Sequence, residues 1–145
     1  MRLRSNRQQR VGRLAFPPLA TPTVTAATVC ILDDDPSVLT GMSRLLSSAG
    51  FHAKQFTDPE EFLLEIKIHR TPVAIVDVWM PKMNGLEVQS RVREISPSTR
   101  VIIFTGKEDT LVRSTALSAG ASAFLMKPFE DEVFLTAVRF ALSGT

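Results

Sequence analysis

Residues 28–36 read TVCILDDDP and combine a strand, an acidic turn and the start of a helix. The first five are largely apolar and rich in β-branched side chains, a composition typical of a buried strand. Asp35 followed by Pro36 predicts a helix start, because aspartate caps the first turn and proline fits the first helical position. Apolar residues then recur at helical spacing as far as Gly50. This stretch therefore predicts a strand followed directly by a helix.

The same strand–helix unit recurs along the rest of the chain. Further strands are predicted at 52–56, 73–76, 101–104 and 123–126, and the helices between and after them include 58–68, one that follows Asn84-Gly85, one from about Glu108 to Ala119, and one containing Val133 and Ala141. Strands that are apolar on both faces predict a parallel sheet covered by helices on both sides. The fold class is a doubly wound α/β sheet of the flavodoxin-like (βα)5 type with strand order 2-1-3-4-5, which places the weakly alternating second strand at an edge.

Length and composition exclude several classes of protein. The chain has 145 residues, 44% of them hydrophobic and 22% charged, which is ordinary for one globular domain. No apolar run reaches the length of a membrane-spanning helix. Cys30 is the single cysteine, so neither an internal disulfide nor a cysteine-rich zinc site is predicted, and a reducing, cytoplasmic location is expected. The common glycine-rich nucleotide-binding motifs are missing.

Charge divides the chain into a basic tail, residues 1–27, and a folded domain, residues 28–145. The tail holds five arginines and no acidic residue (net +5), whereas the domain holds 12 Lys/Arg against 15 Asp/Glu (net −3). The tail arginines are Arg2, Arg4, Arg7, Arg10 and Arg13. Prolines and a lack of periodicity predict a disordered, solvated tail. Alternatives are an organelle transit peptide, a misassigned start codon, or contacts with nucleic-acid phosphates or anionic lipid, but no readout motif is present and DNA binding is not expected.

Chemically active side chains follow four of the predicted strands. Asp33 and Asp34 follow the first strand, Asp77 the third, Thr105 the fourth and Lys127 the fifth. The carboxyl ends of parallel strands meet at one edge of a sheet, so we expect these groups to converge there. Closely packed carboxylates repel unless a cation intervenes, and their hard oxygens suit Mg²⁺. The pattern predicts a magnesium site equipped for phosphoryl transfer to an aspartate.

Other polar residues are given structural roles. Asp35 and Asp58 are interpreted as helix caps. Cys30 lies in the middle of an apolar strand and is interpreted as a small buried side chain. His52 and His69 have no partner at metal-ligand spacing, so surface positions are expected.

Four segments, in this order, resemble the receiver domains of bacterial two-component response regulators. They are VCILDDDPSV at 29–38, VDVWMPKMNG at 76–85, VIIFTG at 101–106 and FLMKPF at 124–129. Each motif alone is moderately specific, and the four together are very specific. The resemblance extends over essentially all of residues 28–143.

The resemblance implies a role for each residue at the strand ends. Asp77 matches the phospho-acceptor, Asp34 a direct Mg²⁺ ligand, and Asp33 the acid that holds the waters of the metal. Asp77 and the backbone carbonyl of Trp79 are expected to complete the protein ligands. Lys127 matches the cation that pairs with the phosphoryl group.

The switch residues also follow from the resemblance. Thr105 matches the hydroxyl that moves to bond the phosphoryl group, and the peptide bond before Pro128 is expected to be cis. Phe124 occupies the aromatic switch position, which is often tyrosine. Trp79 and Lys107 occupy positions that tune dephosphorylation in the family, and the hypothesis is that the bulky indole restricts attacking water.

The resulting prediction is a phosphorylation-controlled binding module rather than a turnover enzyme. A histidine kinase or histidine phosphotransfer protein is expected to phosphorylate Asp77. The face formed by the fourth helix, fifth strand and fifth helix would then bind a partner or a second copy of the chain. The module is either a stand-alone receiver or the receiver part of a transcriptional regulator. The alternative is a Mg²⁺-dependent phosphatase of the haloacid dehalogenase type, but Trp79 stands where that chemistry requires a second acid.

Overall fold

The computed structural model describes residues 26–144, which form one five-stranded sheet and five helices. The strands are β1 (Thr28–Leu32), β2 (His52–Phe56), β3 (Val73–Asp77), β4 (Arg100–Thr105) and β5 (Ala123–Met126). The helices are α1 (Pro36–Ser48), α2 (Pro59–His69), α3 (Gly85–Ile95), α4 (Thr110–Ser118) and α5 (Asp131–Ser143). Except for its last two residues, the predicted basic tail lies outside the described residues.

The sheet has the predicted topology. Its strands are all parallel and lie in the order β2-β1-β3-β4-β5. Every residue of β3 is buried, whereas the edge strand β2 has no buried residue, in agreement with its weaker apolar pattern. The predicted fold class is confirmed, and the carboxyl ends of β1, β3, β4 and β5 share one edge of the sheet.

Helices cover both faces of the sheet and create two hydrophobic cores. One core lies between the sheet and helices α2, α3 and α4, and includes Phe62 and Val112. The other lies beneath α1 and α5, and includes Leu39 and Phe134. Because both faces are covered, the side chains of the central strands are buried whichever way they point.

The helix starts depend on short polar side chains. Asp35 accepts a hydrogen bond from the Ser37 N–H at 2.9 Å, and Asp58 accepts one from the Glu61 N–H at 3.1 Å. The predicted start of the fourth helix at about Glu108 is wrong by two residues. Asp109 is the cap, because its carboxylate accepts the N–H groups of the first helical turn.

Candidate functional site

Three carboxylates meet at the carboxyl edge of the sheet. Asp33 and Asp34 follow β1 directly, and Asp77 is the last residue of β3. One ligand oxygen from each residue lies within 4.8 Å of the others. Asp33 and Asp77 are 1% and 5% exposed, while Asp34 is exposed to solvent. The structure therefore brings together the three acids that the sequence predicted as a cluster.

Lys127 reaches the cluster from the end of β5. Its Nζ lies 3.4 Å from Asp33 Oδ2 and 3.6 Å from Asp77 Oδ1, and 4.8 Å from the centre of the Phe104 ring. The Lys127 N–H donates to the carbonyl of Thr105 at 2.7 Å, and the Lys127–Pro128 peptide bond is cis. The lysine is thus fixed by its backbone beside two buried carboxylates.

One lysine does not compensate the buried negative charge. The pKa of Asp77 is raised to about 6, first by burial and then by the charge of Asp33, with Lys127 acting in the opposite direction. Burial also raises the pKa of Asp33, opposed by the N–H of Asp35 and by Lys127. A divalent cation would remove this electrostatic penalty, and an all-carboxylate donor set is the type that Mg²⁺ prefers. Asp33, Asp34 and Asp77 therefore fit a magnesium ion.

The loop that follows β3 holds the acceptor candidate in position. The Gly85 N–H donates to the carbonyl of Val78 at 2.8 Å, and a Cβ at Gly85 would collide with the Asp77 carbonyl oxygen. Asn84 caps α3, and its own N–H donates to the Glu87 carboxylate at 3.1 Å. Glycine is required here because the backbone of the loop approaches the Asp77 carbonyl too closely for a side chain.

Thr105 is fully buried at the end of β4. Its hydroxyl donates to the Lys107 carbonyl at 3.3 Å and accepts from the Lys107 N–H at 3.1 Å. The hydroxyl therefore holds the start of the β4–α4 loop. A rotation toward Asp77 would break both contacts.

Trp79 and Lys107 form one side of the cleft around the acids. The Lys107 ammonium lies 5.4 Å from the centre of the Trp79 ring, a cation–π contact, and the indole is 43% exposed. Both residues line the cleft together with the three acids, Asp35, Gly106 and Lys127. The sequence assigned these two residues similar roles, but their contact with each other was not predicted.

Phe124 lies outside the cleft. It is half-buried on β5, packs against the core beneath α4, and has the guanidinium carbon of Arg113 5.6 Å from its ring centre. Arg113 was missed by the sequence reading. The sequence feature that could have revealed it is Asp109, because this cap fixes the start of α4 and therefore the helix face on which Arg113 lies.

These features define a class of protein: a doubly wound α/β module with a buried aspartate, a candidate cation site and a lysine at the carboxyl edge of its sheet. Residues 29–139 match the family model described as "Response regulator receiver domain", and the chain belongs to this family. Receiver domains of this family are phospho-acceptor switches.

Similar proteins agree with this assignment. The chain is 37% identical over 117 residues to the response regulator protein TodT of Pseudomonas putida, covering 81% of this chain and 52% of TodT. It is 33% identical over 118 residues to the transcriptional regulatory protein FixJ of Rhizobium meliloti, covering 81% and 58%. The chain thus spans about half the length of the curated relatives it matches.

Solved structures give the same fold. The chemotaxis protein CheY4 of Vibrio cholerae superposes with a TM-score of 0.75 at 30% identity, over 81% of this chain and 100% of that one. A CheY-like receiver domain from Methanospirillum hungatei superposes with a TM-score of 0.77 at 25% identity, over 81% and 94%. Among the described residues, none of the helices combines the length and apolar character needed to cross a membrane.

Proposed function

We propose that Asp77 accepts a phosphoryl group from a histidine kinase or a histidine phosphotransfer protein, and that phosphorylation changes the face formed by α4, β5 and α5. The observation that carries this proposal is the buried Asp77 carboxylate, with Asp33 in the same cluster and the Lys127 ammonium 3.6 Å away. Burying such a carboxylate destabilises the fold. The same carboxylate is suited to attack a phosphoryl group whose charge is neutralised by cations at the site.

The proposed transfer forms one bond and breaks one. A carboxylate oxygen of Asp77 bonds to phosphorus, while the bond between phosphorus and the imidazole nitrogen of the donor breaks and its electron pair returns to the imidazole. Lys127 Nζ pairs with the phosphoryl oxygens from its position beside Asp77. Asp33, Asp34, Asp77 and the Trp79 carbonyl would hold Mg²⁺, which when bound would neutralise negative charge on the transferring group.

The switch follows from the position of Thr105. A phosphoryl group on Asp77 offers a charged acceptor that the Lys107 carbonyl cannot match, so the hydroxyl leaves the loop and donates to it. Changing the population from 1:99 inactive to 99:1 active requires a preference of about 5.5 kcal/mol. Phe124 on β5 and Arg113 on α4 belong to the face that changes.

The partners of the proposed switch are proteins. Leu111 of α4 is 75% exposed and Val133 of α5 is 46% exposed, so the rearranged face offers apolar side chains to a second copy of the chain or to another protein. DNA binding by this chain alone is not part of the proposal. A cytoplasmic location is part of it, in accord with the donor class and with the single cysteine, Cys30, being a buried free thiol.

The phosphatase alternative has less support. It requires a second acid two residues after the nucleophile, and the side chain there is the Trp79 indole in contact with Lys107. We expect no turnover of small phosphomonoesters by the full chain with Mg²⁺. Steady hydrolysis that Asp77→Asn abolishes would favour the phosphatase instead.

The decisive experiment is incubation of the full chain with Mg²⁺ and phosphoramidate or acetyl phosphate, followed by intact mass measurement. We expect one phosphoryl group per chain, stable in acid and removed by hydroxylamine, and none on Asp77→Asn. Asp58→Asn is the matched control, since Asp58 is a helix cap paired with Lys82 at 2.8 Å, and it should be modified like the wild type. A chain that stays unmodified with both donors would overturn the proposal.

A further inference from the structure

Helix α4 is weakly anchored along its length. Of its nine residues, Val112 and Ala116 alone are buried, and Leu111 is 75% exposed. A helix with so little buried apolar surface has low local stability. The contacts at its two ends therefore determine how it moves.

The C-terminal end of α4 is held by a buried amide from α3. Gln89 is 2% exposed, and its Nε2 donates to the carbonyl of Ala116 at 3.0 Å. The same carbonyl also accepts the N–H of Ala121 at 3.0 Å, and the Ser122 N–H donates to the Val101 carbonyl of β4 at 2.7 Å. Breaking the Gln89 bond would leave a buried amide donor without a partner, which is costly.

The N-terminal end of α4 is connected to the site instead. The Thr105 hydroxyl makes two hydrogen bonds with the backbone of Lys107, three residues before the helix begins. In the first turns, the Arg113 guanidinium lies over the ring of Phe124. This end of the helix is thus coupled to Thr105, whereas the other end is coupled to α3.

We propose that Gln89 is a positioning residue that fixes the C-terminal end of α4, so that phosphorylation turns the helix about Ala116. This inference rests on the proposed function, in which Thr105 leaves Lys107 to bond the phosphoryl group on Asp77. The loop 106–109 and the first turn of α4 then lose their anchor. The Gln89–Ala116 bond remains, so the C-terminal end of α4 stays in place while its N-terminal end moves. This movement shifts Arg113 with respect to the Phe124 ring.

The test is amide hydrogen exchange of the full chain with Mg²⁺, with and without phosphoramidate. In the wild type, phosphorylation should speed exchange roughly tenfold or more in residues 111–113 and less than about twofold in residues 119–121. A uniform change along α4 would overturn the proposal without the need for any variant.

A variant tests the role of the amide itself. Gln89→Met keeps the volume but removes the donor, and should speed exchange of residues 119–121 about tenfold without phosphorylation, as expected for the loss of one buried hydrogen bond. After phosphorylation, both ends of α4 should then respond. Val138→Ala, in the core on the opposite face of the sheet, is the destabilised control and should keep the wild-type difference between the two ends.

The two proposals fail separately. If intact mass shows no phosphoryl group on Asp77, the proposed function fails. The comparison of unphosphorylated Gln89→Met with the wild type still shows whether Gln89 holds the C-terminal end of α4. If Asp77 is phosphorylated but residues 119–121 exchange equally in both proteins, Gln89 does not hold α4 and this inference is overturned.

Discussion

At the amino ends of β3 and β4, buried hydroxyl groups satisfy one another. Thr99 Oγ1 lies 2.7 Å from Ser96 Oγ and donates to the Thr71 carbonyl at 2.7 Å, and all three residues are at most 7% exposed. At the carboxyl ends of the same sheet, Asp33 and Asp77 are equally buried but share one lysine. Both regions bury polar groups, yet within residues 26–144 only the second retains charge without a full complement of opposite charge. Burial of polar atoms alone therefore does not mark a functional site, whereas unbalanced charge does.

The largest expected effect is an increase in the free energy of unfolding, although most substitutions of buried residues decrease it. Asp77→Asn removes a carboxylate whose pKa is raised to about 6 from 3.8 in the metal-free protein, so at pH 7.5 it should stabilise the fold by about 2–3 kcal/mol. Between these pH values the native state holds a proton that the unfolded chain has released. The contribution of Asp77 to wild-type stability therefore falls as pH rises from about 4 to 6, and the advantage of Asp77→Asn over the wild type disappears below pH 4. Urea unfolding of the wild type and of Asp77→Asn, with chelator and across this pH range, measures both effects. A variant less stable than the wild type at pH 7.5 would show that the carboxyl ends of the strands hold no excess charge.

Magnesium should neutralise the excess negative charge at the carboxyl ends of the strands, so that both ends of the sheet have their polar groups compensated. At a concentration about one hundred times its dissociation constant, a ligand that binds only the native state stabilises it by about 2.7 kcal/mol. We expect this gain in the wild type and in Asp58→Asn, and a much smaller gain in Asp77→Asn. Urea midpoints with Mg²⁺ and with chelator provide the measurement. Equal gains in all three proteins would place the cation elsewhere.

The hydrogen-bonded group at the amino ends of β3 and β4 should lose stability on mutation, as buried polar groups usually do. Thr99→Val removes one donor and leaves Ser96 Oγ and the Thr71 carbonyl without their partner, so it should cost about 1–2 kcal/mol. Because no charge is involved, this cost should be the same at pH 5 and pH 8, and with or without Mg²⁺. A loss that depends on Mg²⁺ would show that the two ends of the sheet are coupled.

The smallest expected effect concerns the side of the charged cleft. Trp79→Ala should shorten the lifetime of the acyl phosphate a few-fold, because the indole and the Lys107 ammonium over it restrict the approach of water. Lys107→Met, which removes the cation–π contact but keeps the bulk of the side chain, should change the lifetime less. Loss of radioactivity or of added mass with time measures the lifetime. An unchanged lifetime in Trp79→Ala would remove this role of the indole.

Local signals in the sequence predicted most of the fold. Asp35-Pro36 and Asp58-Pro59 marked helix starts because a cap needs only neighbouring residues, and the apolar run of β3 marked a strand buried on both faces. The helix start that was placed two residues too early lies at Glu108, directly before the true cap, Asp109. Aspartate forms the cap because its shorter side chain reaches the N–H groups of the next turn.

The sequence by itself determined the parallel α/β fold and the meeting of Asp33, Asp34, Asp77 and Lys127, because parallel strands of known order bring their carboxyl ends to one edge. Only the tertiary structure decided which side chains make contact across elements. The pairing of Lys107 with Trp79, the bond from Gln89 to Ala116 and the burial that raises the pKa of Asp77 depend on how helices and loops pack on the sheet. No periodicity or spacing encodes these distances, since they join residues far apart in the chain through packed surfaces.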